Sequence, residues 1–156
     1  MSTHPLELLA GLAASDVQAI SSLGRTLVLH TGDTLYRLGD AADCLYTIGR
    51  GRISLTLPME VRDRDEDIPV EERGPGQTVG WSALIPPHRF TLSAHALVES
   101  EVVALPRLAL ADYFAANPVV GYAVTRNVAS VVGQRLQIFQ AMWLREIQRV
   151  VKLSHA

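Results

Sequence analysis

The chain has 156 residues, 48% of them hydrophobic, and a formal net charge of −2. That is enough to bury one sizeable core, and it leaves no basic field to hold nucleic acid or an anionic membrane. Cys44 is the only cysteine, which excludes an internal disulfide, a multi-cysteine zinc site and a cysteine-held iron–sulfur cluster. No basic-then-apolar leader and no apolar run of membrane-spanning length is visible, so a soluble, cytoplasmic chain is expected.

Residues 6–12 form a short apolar segment. Ser15, with Gln18 three positions on, predicts a capped helix that runs to Leu23 and stops at Gly24. From Arg25 the apolar period changes to two. Residues 26–30, 34–37, 45–48 and 52–57 read as short strands bounded by glycine or aspartate turns, the pattern of a sandwich, barrel or β-roll. Residues 60–67 are a mixed-charge run, expected as a solvated hairpin tip. Residues 68–73, 90–97 and 101–105 supply further strands, and β structure is expected to stop at Pro106.

Residues 74–96 stand apart. Gly74-Pro75-Gly76 is a turn signal, and 80–85 is a single apolar turn stopped by Pro86-Pro87. A short helix entered through a glycine exposes free backbone N–H groups, the ordinary chemistry of an anion site.

Residues 107–116 predict one helix closed by Asn117-Pro118, and 119–151 a second with no proline inside it. Its apolar residues cover about half the helix circumference. Val132, Leu136, Phe139 and Trp143 follow a 3-4 spacing suited to a partner helix, so a homodimer through this helix is expected. Val124, Val131 and Ile138 form a parallel stripe expected to lie on the β domain. The sequence thus predicts one domain over 1–156. Helices occupy 1–24, a jelly-roll β-roll (a double-stranded β-helix, cupin-like) occupies 25–105, and residues 106–156 end in a long C-terminal helix.

Residues 31–51, from Thr31-Gly32-Asp33 through Leu38-Gly39-Asp40 to Gly49-Arg50-Gly51, resemble the turn pattern of the cyclic nucleotide-binding domain. That family is shared by catabolite-activator-type regulators, protein kinase A regulatory subunits and gated channels, and the resemblance extends over residues 6–151. It implies that 74–96 corresponds to the phosphate-binding cassette. In the family a Gly-Glu pair precedes a short helix, and an arginine followed by Ser/Thr-Ala follows it. The glutamate takes the ribose hydroxyl, and the arginine takes the cyclic phosphate.

Gly80, Ala83, Leu84 and Thr91 match that pattern, with Ser82 beside them, but Trp81 stands at the glutamate position. Counting back from Ser100-Glu101-Val102-Val103 puts Phe90 at the arginine position, with Arg89 one residue early and turned to the opposite face of a strand. Losing both polar contacts removes about 1.5–3 kcal/mol each, so cyclic AMP or cyclic GMP binding is expected to be weak or absent. The alternatives are a genuine cyclic nucleotide site using Arg89, or a different small anionic ligand.

A cupin-type metal enzyme is a further alternative. However, His4, His30, His88, His95 and His155 show no ligand spacing, and Cys44 and the serines show no nucleophile signature. No enzyme, metal or obligate cofactor is expected. Only five residues follow Val151, so no DNA-reading module is expected within this sequence. The function implied is a dimeric sensor or adaptor acting through protein contacts.

Overall fold

The computed structural model describes residues 6–156; His4 lies outside them. A 3-10 turn over Glu7–Leu9 precedes α1 (Ala14–Ser21). Eight strands follow: β1 (Arg25–Leu29), β2 (Thr34–Tyr36), β3 (Cys44–Arg50), β4 (Ile53–Val61), β5 (Arg64–Arg73), β6 (Thr78–Val79), β7 (Ser93–Ala96) and β8 (Ser100–Pro106). Between β6 and β7 lies a 3-10 turn over Trp81–Leu84, and the chain closes with α2 (Arg107–Ala116) and α3 (Pro118–Ser154).

The strands make two four-stranded antiparallel sheets, ordered β1-β8-β3-β6 and β2-β7-β4-β5. Apart from the β4–β5 hairpin, consecutive strands alternate between sheets, as a roll requires. Register follows the buried face. Ile48 pairs with Val102 in the first sheet, and Ile53 and Leu55 pair with Ala96 and Ala94 in the second. All six side chains are buried between the layers. Gly51 turns the chain from β3 into β4 at φ +95°, where an added Cβ would lie 2.1 Å from Ser100 Oγ. Only glycine fits both the angle and the space.

The prolines obey the sheet's edges. Pro69 lies on β5, an outer strand, at a register shift opposite Thr56. Pro58 lies on β4 beyond the last residue that pairs with β7. The 60–67 run is exposed for the most part and forms the expected hairpin tip. β4 and β5 continue through it and reverse at Arg62-Asp63, both at positive φ. Cross-strand hydrogen bonds override the low strand propensity of the acidic residues.

The helices close one end of the roll. Ile20, Leu110, Val120, Val124, Val128 and Val131 join its core. Asn127 donates to the carbonyls of Leu8 and Ala10 at 2.9 and 3.0 Å, and Tyr113 donates to Asp16 at 2.9 Å.

Several sequence expectations change here. Ser15 caps nothing: α1 starts two residues earlier than that cap implies, behind Ala13, with no side-chain cap. The strand expected over 90–97 is shortened to β7, and the two-residue β6 gives no period to read. Ile138 is 55% exposed rather than on the roll, and Val128 takes its place among the residues α3 buries. The helix axis leaves the roll before position 138 is reached, and from Leu136 onward every residue is exposed.

Candidate functional site

The cassette-like segment is built on Gly80. It adopts the left-handed conformation at φ +80°, turning β6 into the Trp81–Leu84 turn. An added Cβ would meet Phe90 Cε1 at 3.1 Å and Tyr46 Cδ2 at 3.3 Å. Gly80 therefore rests directly on aromatic rings, and its lack of a side chain is a packing requirement as well as a conformational one.

Those rings form a stack. Phe90 lies flat on Tyr36, with centroids 3.7 Å apart and planes 11° from parallel, and Tyr46 continues the stack 5.9 Å from Tyr36. Phe90 is held in register by its backbone: its N–H donates to Asp40 and its carbonyl accepts from Gly39. Burial pushes the Tyr36 phenol far above its ordinary range, and burial raises Tyr46 in the same direction. The floor of the cassette is thus an apolar surface that disfavours charge.

Arg89 takes the opposite face. It is exposed, its Nη1 donates to the Gly39 carbonyl at 3.0 Å, and its backbone bridges to Ala41. Trp81 is half-buried, Ser82 and Ala83 are buried, and Thr91 is exposed at the rim. The space enclosed by Tyr36, Gly80, Trp81, Ser82, Phe90 and Arg135 is about 10 Å³. That holds roughly one water, whereas small-molecule pockets run to about 300–1,000 Å³.

A charged chain that the sequence analysis missed borders this space. Arg135 on α3 donates from Nε to Glu71 at 2.9 Å, and its guanidinium carbon lies 5.8 Å from the centroid of the Trp81 ring. Glu71 also accepts from Arg73 at 3.1 Å. Arg73, whose side chain is 8% exposed, reaches Glu7 with its other terminal nitrogen and the Thr78 carbonyl with Nε. Glu7 in turn accepts from the Thr78 N–H at 3.1 Å. A planar guanidinium suits Arg73 to three simultaneous acceptors. Arg135 Nη2 is buried and has no hydrogen-bond partner among the described residues. Strand alternation sets Glu71 and Arg73 on one face of β5, which hints at inward charge, but their partners are remote in the chain.

The other candidates do not converge. Among the described residues no group of three or more His, Cys, Asp or Glu could hold a metal ion. His95 bridges Thr34 and Thr56 at 3.0 and 3.1 Å. Cys44 is free and half-buried, and burial raises its thiol rather than activating it. No described helix is long and apolar enough to cross a membrane.

A roll of two antiparallel sheets, a glycine-entered turn and a long C-terminal helix define the β-roll of the cyclic nucleotide-binding fold. The family model for the cyclic nucleotide-binding domain matches residues 26–117, more than half of the chain, and the chain belongs to that family. A Geobacter metallireducens protein solved as a candidate cyclic nucleotide-binding protein is 25% identical, with a TM-score of 0.71, covering 87% of this chain and 98% of that one. The Thermus thermophilus catabolite activator protein shares the fold at 23% identity and a TM-score of 0.74, covering 88% of this chain and 61% of that one. Glutaminase 2 of Bradyrhizobium diazoefficiens is 28% identical over 131 residues, which are 83% of this chain and 19% of that protein. The chain thus spans about a fifth of that relative's length.

Proposed function

We propose that this chain is a regulatory module of the cyclic nucleotide-binding domain family that acts as a homodimer through protein contacts, with a cassette closed to cyclic AMP and cyclic GMP. The observation that carries the reading is the Phe90–Tyr36 stack beneath Gly80, which leaves about 10 Å³ under the turn, while the adjoining groove of about 370 Å³ past Trp81, Thr91, Leu92 and Arg135 is almost wholly apolar and lacks the family's glutamate and arginine. Arg89, the one cation of the segment, faces the Gly39 turn instead. The ring stack takes over the ligand's structural role, filling the cassette and supporting the turn. A Glutaminase 2 segment of similar sequence within a far longer protein is consistent with a module that works on a neighbouring polypeptide rather than by chemistry of its own.

Dimerisation is supported by α3. Leu136, Phe139 and Trp143 are 56%, 37% and 66% exposed at the spacing of a helix–helix seam. Two apolar grooves run along its flanks: Leu84, Ile85 and Val128 line one of about 360 Å³, and Leu57, Val70 and Trp81 line one of about 370 Å³. A second helix laid on the seam would cover both.

Titration calorimetry tests the cassette. No cyclic AMP or cyclic GMP binding tighter than about 100 micromolar is expected, from the two lost polar contacts. A low-micromolar constant abolished by Arg89→Ala would overturn the reading. The partnerless Arg135 Nη2 favours one second reading, a small anion held between Arg135 and Ser82 after the Trp81 ring swings aside. A phosphate-dependent rise in melting temperature, lost in Arg135→Gln, would support it.

A further inference from the structure

Arg135 stands where two spaces of very different size adjoin. Trp81, Thr91, Leu92 and Arg135 wall both the chamber of about 10 Å³ under the turn and the groove of about 370 Å³ beside it. Leu57 and Val70 of the β4–β5 hairpin form one bank of that groove, and Val132 and Leu136 of α3 form the other. Its volume falls within the range of small-molecule sites, about 300–1,000 Å³. Every wall comes from a single chain, so the site is complete whatever the oligomeric state.

The orphaned donor singles this groove out. The Arg135 side chain is only 12% exposed; Nε donates to Glu71 at 2.9 Å, while Nη2 is buried with no hydrogen-bond partner among the described residues. A buried donor left unpaired is costly, and an incoming acceptor relieves that cost. Charge and size decide which acceptor. Glu7 and Glu71 already balance Arg73 and Arg135, and burial pushes up the Tyr36 phenol on the chamber wall. A further negative charge would therefore enter uncompensated, in surroundings that penalise it. The chamber has room for about one water-sized group, that is, for one oxygen atom. A carboxylate or a phosphate brings more oxygens than that, and a charge besides.

We infer that the groove binds an uncharged, apolar molecule with one terminal carbonyl oxygen: the apolar body lies between the β4–β5 hairpin and α3, and the oxygen enters the chamber to accept from Arg135 Nη2. This rests on the closed-cassette reading and names the ligand class of the groove that the closure leaves open.

Calorimetry on the full chain with 2-octanone, octanoate and cyclic AMP tests it. The ketone should bind one per chain with a constant of about 1 millimolar or tighter. Octanoate, of the same length but charged, should bind at least about tenfold more weakly. Arg135→Lys keeps a cation for Glu71 but loses the second aligned donor, and should weaken the ketone about tenfold. Leu57→Glu places a charge on the apolar bank, at a position 38% exposed and outside the charged chain, and should weaken it at least as much. Octanoate binding as tightly as the ketone would overturn the proposal in favour of the small anion. So would undiminished ketone binding in either folded variant. No saturable ketone binding would overturn the groove site and leave the closed cassette standing, whereas low-micromolar cyclic AMP binding would overturn the closed cassette itself.

Discussion

Adjacent residues 89 and 90 give the sharpest test of how this cassette is built. Phe90 is 5% exposed and lies flat on Tyr36 under Gly80, so Phe90→Ala removes a packed ring and leaves a hole that Gly80 has no side chain to fill. Such truncations cost about 3–5 kcal/mol, and the ring pair puts this one toward the upper end. For a chain of this size that lowers the melting temperature by roughly 10 °C or more. Arg89→Ala deletes one exposed hydrogen bond to the Gly39 carbonyl and should change stability by less than about 0.5 kcal/mol. Urea denaturation followed by circular dichroism, at one fixed protein concentration, compares the two. A larger loss for Arg89→Ala than for Phe90→Ala would show that the inward side chain is the arginine, and the closed-cassette reasoning would fall.

Gly80→Ala, which places a Cβ 3.1 Å from Phe90 at a left-handed φ, should destabilise by about 1–3 kcal/mol by the same assay. Arg73→Ala strands the Glu7 and Glu71 carboxylates in a largely buried site and should cost about 3–5 kcal/mol, with Arg73→Lys unable to restore the three contacts. Burial raises the Tyr36 phenol above its unfolded value, so the folded state keeps its proton longer; stability is full below about pH 10 and falls as pH rises beyond it. Tyr36→Phe should flatten that fall, and an unchanged alkaline slope would count against a buried phenol. Trp81→Glu combined with Phe90→Arg restores the family's polar pair and should tighten cyclic AMP binding at least about tenfold in calorimetry. A folded double variant with no measurable gain would refute the register.

Local chemistry made much of this protein legible in its sequence. The turn glycines, the short turn closed by Pro86 and the break at Asn117-Pro118 each follow from backbone angles that neighbouring residues impose, and the α2 boundaries agree with the expected 107–116. Alternation along an extended segment also predicts that Arg89 and Phe90 face opposite ways, although the strand itself begins only at Ser93. Which of them faces inward was decided by the tertiary structure, through the backbone pairing of Phe90 with Gly39 and Asp40 and the ring stack waiting on Tyr36. The chain Glu7–Arg73–Glu71–Arg135 was invisible for a related reason. Its members lie on three remote elements, and a charge in a strand or helix reads as solvent-facing until the fold sets its counter-charge beside it. Periodicity reports which residues share a face, but burial depends on what the rest of the chain lays against that face. That is why the apolar stripe of α3 could be read to its last turn, while the point where the roll stops covering it could not.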